Sequence, residues 1–88
     1  MNVLYKKISV WKREDERTAI KYNCFELIKL KKYCVQSADY YSIPIDSKDI
    51  ADLSRQYLDL FLEEAPENRG ELYDSLEEAI EKFDSDFD

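Results

Sequence analysis

Residues 23–34 read NCFELIKLKKYC, and how this stretch folds decides the architecture of the chain. Its spacing also fits a short helix, but its flanks argue for strands. On one side Ile20, Tyr22 and Cys24 alternate; on the other, residues 32–44, KYCVQSADYYSIP, are rich in Tyr, Val, Ile and Cys. Such residues pack well on a pleated surface and favour strands. Two strands, about 18–28 and 31–42, are therefore expected, joined by a turn at Ile28-Lys29-Leu30. That turn makes the numbers of paired residues sum to 58, placing Cys24 opposite Cys34, Ile20 opposite Ala38 and Glu26 opposite Lys32. One apolar face and one ion pair emerge together, the kind of cross-strand agreement that fixes register. The turn carries neither Asn-Gly nor any glycine, so its geometry is not written in its residues.

Working outward, VLYKKISVWKR at 3–13 forms a third strand with apolar groups on both faces, and Glu14-Asp15-Glu16-Arg17 makes a polar turn. Pro44 ends the strand that precedes it, because it has no ladder donor and restrains Ile43. A helix over 47–64 follows, capped by Asp46 or Ser47, with Asp46 and Asp49 suited to its positive end. Ile50, Leu53, Tyr57, Leu60 and Phe61 follow helical spacing, and Leu58 and Leu62 widen the apolar face into one that is well covered. Pro66 breaks this helix. A second one, about 69–84, starts either at the capping box Asn68–Glu71 or one turn later at Ser75–Glu78. In either case Leu72, Leu76, Ala79, Ile80 and Phe83 share a face, and 85–88 is expected to fray. The expected fold is α+β in a single domain over 1–88: a three-stranded antiparallel β-meander whose apolar face is covered by two C-terminal antiparallel α-helices.

The totals agree with a folded domain. The chain has 88 residues, 44% hydrophobic and 38% charged, with one Trp, seven Tyr and four Phe. That aromatic content separates it from disordered chains, although a domain this short builds only a thin core. The net charge of −7 is unevenly spread. Residues 1–36 carry nine Lys/Arg against four Asp/Glu (+5), and residues 37–88 carry four against sixteen (−12). The anionic surplus disfavours nucleic acid and anionic membranes and favours a basic protein partner. No apolar run approaches the ~20 residues of a membrane span. The N-terminal residues lack a signal-peptide pattern, so a cytoplasmic protein is expected.

Several chemistries are excluded. Histidine is absent, which removes the commonest general base and metal ligand. Two cysteines ten residues apart complete no four-ligand zinc site and no C-x-x-C pair. A lone glycine forms no phosphate-binding loop. Neither enzymatic activity nor a cofactor or metal is expected.

What remains is surface. Cys24 and Cys34 read as small reduced core residues rather than a disulfide. Glu71, Asp74, Glu78, Glu81 and Asp84 belong to a C-terminal region with eight acids and one Lys from residue 71 onward. Such a row is either a solvated face or a surface matched to a basic cleft, where carboxylates take phosphate positions. Tyr41 and Trp11 are candidate contact anchors, since half-exposed aromatics dominate interfaces. Cys34, Ala38 and Tyr40 read as core, and Tyr33 and Tyr41 as contact surface. The lysines of the strands, interleaved with aromatics, resemble a single-strand-binding sheet in composition, against the overall charge. The expectation is a small non-catalytic protein acting by protein–protein contact. In its concrete form it is an inhibitor or antitoxin-like protein from a bacterium or phage that covers the basic cleft of a nucleic-acid enzyme. A nucleic-acid-binding module and a homodimeric accessory protein are the competing readings.

Overall fold

The computed structural model describes residues 3–45 and 47–87, leaving aside the side chains of Asp49 and Phe87. Asp46 and the Asp49 side chain, expected at the start of the first helix, lie outside the described residues. The fold is α+β: β1 (Tyr5–Arg13), β2 (Thr18–Leu27), β3 (Lys32–Ser42), α1 (Ser47–Glu63), a one-turn α2 (Pro66–Arg69) and α3 (Leu76–Phe87). The strands form an antiparallel meander in the order β1-β2-β3. Asp15 closes the first turn by accepting from the backbone N–H groups of Arg17 and Thr18 at 2.7 and 2.9 Å.

Register is where the fold departs from expectation. β1 and β2 pair without interruption from Tyr5↔Leu27 to Arg13↔Ala19. Between β2 and β3, however, a four-residue turn places Leu27 opposite Lys32 and Phe25 opposite Cys34. Lys31 adopts the left-handed conformation there, with φ of 54°. Each extra loop residue shifts the pairing by one, and a shift of one moves every side chain to the other face. Cys24 therefore pairs with Val35, and Glu26 with Tyr33 rather than Lys32. Beyond Asn23 the register slips again around Gln36, a bulge with two residues opposite one, so Ala38 faces Tyr22 and Tyr40 faces Ile20.

β2 itself presents apolar groups on both faces, and Tyr22, Asn23, Cys24 and Phe25 are buried in succession; the slip sets which residues of β3 join each face. One face holds Ile20, Tyr22 and Cys24 with Ile8, Val10, Val35 and Ala38, packed on Leu76, Ile80 and Phe83 of α3. The other holds Phe25, Leu27 and Cys34 with Tyr5, packed on Tyr57 and Phe61 of α1 and on Leu72. The two long helices run in opposite directions, as expected, but the sheet separates them. α1 starts beside the β1–β2 turn and ends over Phe25; α3 starts beside Tyr33 and ends over Tyr22. The connection wraps around the outer side of β3. There Tyr33 and Tyr73 exchange both backbone N–H···O bonds at 2.8 Å.

Details at the helix ends follow local chemistry. Ser75 Oγ accepts the Glu78 N–H at 3.1 Å, so the later of the two candidate caps starts α3. Residues 66–69 are a separate turn with Pro66 at its start. α3 runs to Phe87, three residues past the expected end. Leu58 and Leu62 do not widen a covered face: they are 54% and 79% exposed, because one three-stranded sheet covers only one side of α1. Tyr40, expected in the core, is 69% exposed. It lies on the outer strand, past Tyr22, where Phe83 and Asp84 of α3 make their inward contacts.

Candidate partner-binding surfaces

α3 turns Leu76, Ala79, Ile80 and Phe83 toward the sheet. Helical spacing then directs Glu77, Glu78 and Glu81 outward, and all three are exposed. The first turn carries Glu77 and Glu78, where the helix N-terminus favours negative charge. The row Glu71, Asp74, Glu78, Glu81, Asp84 does not lie along one helix side, because α3 begins only at Leu76. Glu71 and Asp74 belong to the preceding segment, and Asp74 is paired with Lys32. Asp84 is half-buried. It accepts from the Tyr22 hydroxyl at 2.8 and 3.0 Å and lies 4.0 Å from the Lys12 ammonium. Glu71, Glu78 and Glu81 remain available, and Glu77, which the row omitted, joins them.

Tyr73 lies among these carboxylates. Its hydroxyl pKa is raised, first by burial and then by Glu71, Asp86 and Glu78. Beside it Arg69, Glu71, Tyr73, Asp86 and the bulged Gln36 border a cavity of about 380 Å³. The surface is a half-buried aromatic with an acidic border. The signal for Tyr73 in the sequence was its position just before a capping box, which ties it to the helix start.

Trp11 and Tyr41 come together as well, but elsewhere. Their ring centroids are 5.6 Å apart, and the Lys21 ammonium lies 5.8 and 5.7 Å from the two centroids. Lys21 and Asp39 form an ion pair at 3.6 Å, with side chains only 15% and 9% exposed. Asn23, fully buried, donates from Nδ2 to Asp39 Oδ2 and Ser37 Oγ, both at 3.0 Å. Parity explains the grouping: Trp11 is opposite Lys21, Lys21 opposite Asp39, and Asn23 opposite Ser37, all on the α1 face. The two expected anchors therefore lie across the sheet from the acidic α3 and cannot serve the same contact. Tyr33, expected on a contact surface, is instead half-buried against Tyr73.

Both cysteines are free. Burial pushes the Cys24 thiol up to about 12 and the Cys34 thiol up to about 11, so both stay protonated at neutral pH and are poor nucleophiles. Among the described residues no cluster of three or more His, Cys, Asp or Glu is placed to hold a metal. Nor is any helix among them long and apolar enough to cross a membrane. Comparison with protein-family models, curated proteins and solved structures finds no match to this chain.

Proposed function

We propose that this protein is non-catalytic and acts by contact with a basic protein, through the surface built from Glu71, Glu77, Glu78 and Glu81 around Tyr73. The supporting observation is that these four exposed carboxylates make no ion pair among the described residues, while Asp74 and Asp84, close by, do. Unpaired acids, three of them on α3, attract a basic surface over long range. Tyr73 supplies the aromatic anchor that charge alone lacks. In its narrower form the partner is a nucleic-acid enzyme, and the carboxylates occupy phosphate positions in its basic cleft.

Affinity capture from native lysate, with and without nuclease and at two salt concentrations, tests the reading. A specific basic protein, retained after nuclease treatment and weakened by salt, supports it. Charge reversal at Glu78 and Glu81 should then weaken that complex tenfold or more while the circular dichroism spectrum is kept. Recovery that disappears with nuclease would replace the reading with a nucleic-acid-binding one. Recovery of this chain alone would replace it with a homodimer.

A further inference from the structure

Each outer strand of a three-stranded sheet has one side without a strand neighbour, and here the two sides differ. β3 is closed by its paired backbone bonds to Tyr73 and by the Lys32–Asp74 ion pair. Among the described residues β1 has no such cover. The Ile28 N–H donates to Leu4 O at 3.2 Å, and the Glu14 N–H donates to Thr18 O at 3.0 Å. Both ladder contacts belong to even-numbered residues of the first strand and its extensions. In an antiparallel pair the bonding direction alternates residue by residue. With the β1–β2 register unbroken, the N–H and C=O groups of Tyr5, Lys7, Ser9, Trp11 and Arg13 point away from the sheet. None of them has a partner among the described residues. β1 also has no proline and no bulge, two of the devices that commonly blunt an edge.

The side chains on β1 say what such an edge accepts. The strand carries Lys6, Lys7, Lys12 and Arg13 and no acid. On the α3 face the order is Lys6, Ile8, Val10, Lys12, two apolar residues between two cations. A second copy of β1 is a poor match, because pairing centred on Ser9 sets Lys6 against Lys12 twice. Like charges directly opposite are destabilising.

We propose that β1 is a docking edge for an extended acidic peptide, which adds to the sheet as a further strand. The fitting pattern is acid-x-apolar-x-apolar-x-acid, with the acids opposite Lys6 and Lys12 and the apolar residues opposite Ile8 and Val10. It reads the same in both chain directions. Main-chain bonds to Lys7, Ser9 and Trp11 supply affinity, and the alternate side chains supply selectivity. This surface does not include Glu71, Glu77, Glu78 or Glu81, although Lys12 lies 4.0 Å from Asp84 of α3, so the inference stands or falls independently of the function proposed above.

The test uses the whole protein and a capped heptapeptide, Glu-Thr-Val-Thr-Val-Thr-Glu. Titration is followed by the fluorescence of the one tryptophan, Trp11, and by residue-resolved amide hydrogen exchange. The expected result is saturable binding with new protection at the Lys7, Ser9 and Trp11 amides. Lys6, Ile8 and Val10, whose amides already face β2, should change little. Lysine in place of both peptide glutamates should weaken binding at least tenfold, as should N-methylation of the central peptide bonds. On the protein side, Lys6→Glu with Lys12→Glu should lose the acidic peptide with the fold retained. Ser9→Pro removes an outward N–H and the hydroxyl that accepts from Lys7 Nζ, leaves the ladder to β2 in place, and should do the same. Absence of binding at low salt overturns the proposal. So does binding that survives N-methylation, or protection that ignores the odd–even alternation. An oligothymidylate that binds more tightly than the peptide, at the same Trp11, would assign the edge to single-stranded nucleic acid instead.

Discussion

Cys24 and Phe25 are neighbours in the chain and belong to different cores. Beneath α3 the contacts are mostly aliphatic, with the Tyr22 hydroxyl held at the margin by Asp84. Beneath α1 they are aromatic. Phe25 stacks on Phe61 and Tyr57 at 4.9 and 5.7 Å, and Tyr5 meets Phe25 and Phe61 edge-on at 6.0 and 5.3 Å. Farther along the same face the apolar contacts give way to Lys21, Asp39 and Asn23. A chain this short cannot build one thick core, and both faces of its central strand are used instead. The aromatic face concentrates its burial at one end and leaves a polar network at the other. The aliphatic face spreads its burial along the helix.

Substitution can break that contrast or sharpen it. Phe25→Ala removes a nearly fully buried ring that meets three other aromatics and should cost ~3–5 kcal/mol in urea unfolding, the largest single effect in the molecule. A loss under about 1 kcal/mol would mean the aromatic face is not a true core. Asp39→Ala leaves the buried Lys21 ammonium without its carboxylate and the Asn23 amide with Ser37 Oγ as its one acceptor, and should cost ~2–4 kcal/mol. Replacing Lys21 by Met and Asp39 by Leu together should restore most of that loss, since buried pairs trade evenly with well-packed apolar groups. If the double variant is as unstable as the single one, the network specifies the face rather than merely filling it.

Alkaline titration probes both faces at once. In the unfolded chain the thiols ionise near 9.0, whereas the folded pKa values are about 12 and about 11. The folded state therefore binds more protons above pH 9, and its stability falls as pH rises through that window. The stabilisation is fully present below pH 9. About 1 kcal/mol per thiol, about 2 kcal/mol for the two, should be lost between pH 9 and 10. Stability that stays flat to pH 10 in the wild type would contradict the burial of both thiols. The smallest effect belongs to Ser75→Ala, about 1 kcal/mol, because it removes one capping bond at the exposed start of α3. The same substitution at Asn68 should cost less, which would confirm Ser75 as the start of the helix.

Strand identity was legible because Ile, Val, Tyr and Trp crowd residues 3–42 at spacings that suit a pleat, and the polar run at 14–17 separates two such stretches. Helix positions were legible from Leu53, Tyr57, Phe61 and from Leu76, Ile80, Phe83. Register was not. Nothing in Ile28-Lys29-Leu30-Lys31 marks a left-handed lysine, and nothing in Val35-Gln36-Ser37 marks a bulge, yet each changes the pairing by one residue. The extra turn residue decides that the cysteines do not face each other, and the bulge decides which residues of β3 face Ile20 and Tyr22. The candidate site suffered for the same reason. Glu78 and Glu81 were recognised from composition, but the inward turn of Asp84 depends on Tyr22 reaching it across the α3 face. The separation of Trp11 and Tyr41 from the acids depends on which parity faces which helix.

The placement of the two thiols has a kinetic consequence. Cys24 lies under α3, and Cys34 under α1 and the segment that follows it. Cys24 is fully buried, whereas Cys34 is 4% exposed and borders the cavity beside Tyr73, so the alkylation rate of each measures how readily its own surroundings open. In forms carrying a single cysteine, with the other replaced by alanine, equal rates would mean that both helices leave the sheet in one cooperative step. Unequal rates would name the surroundings that open more readily, without any added label.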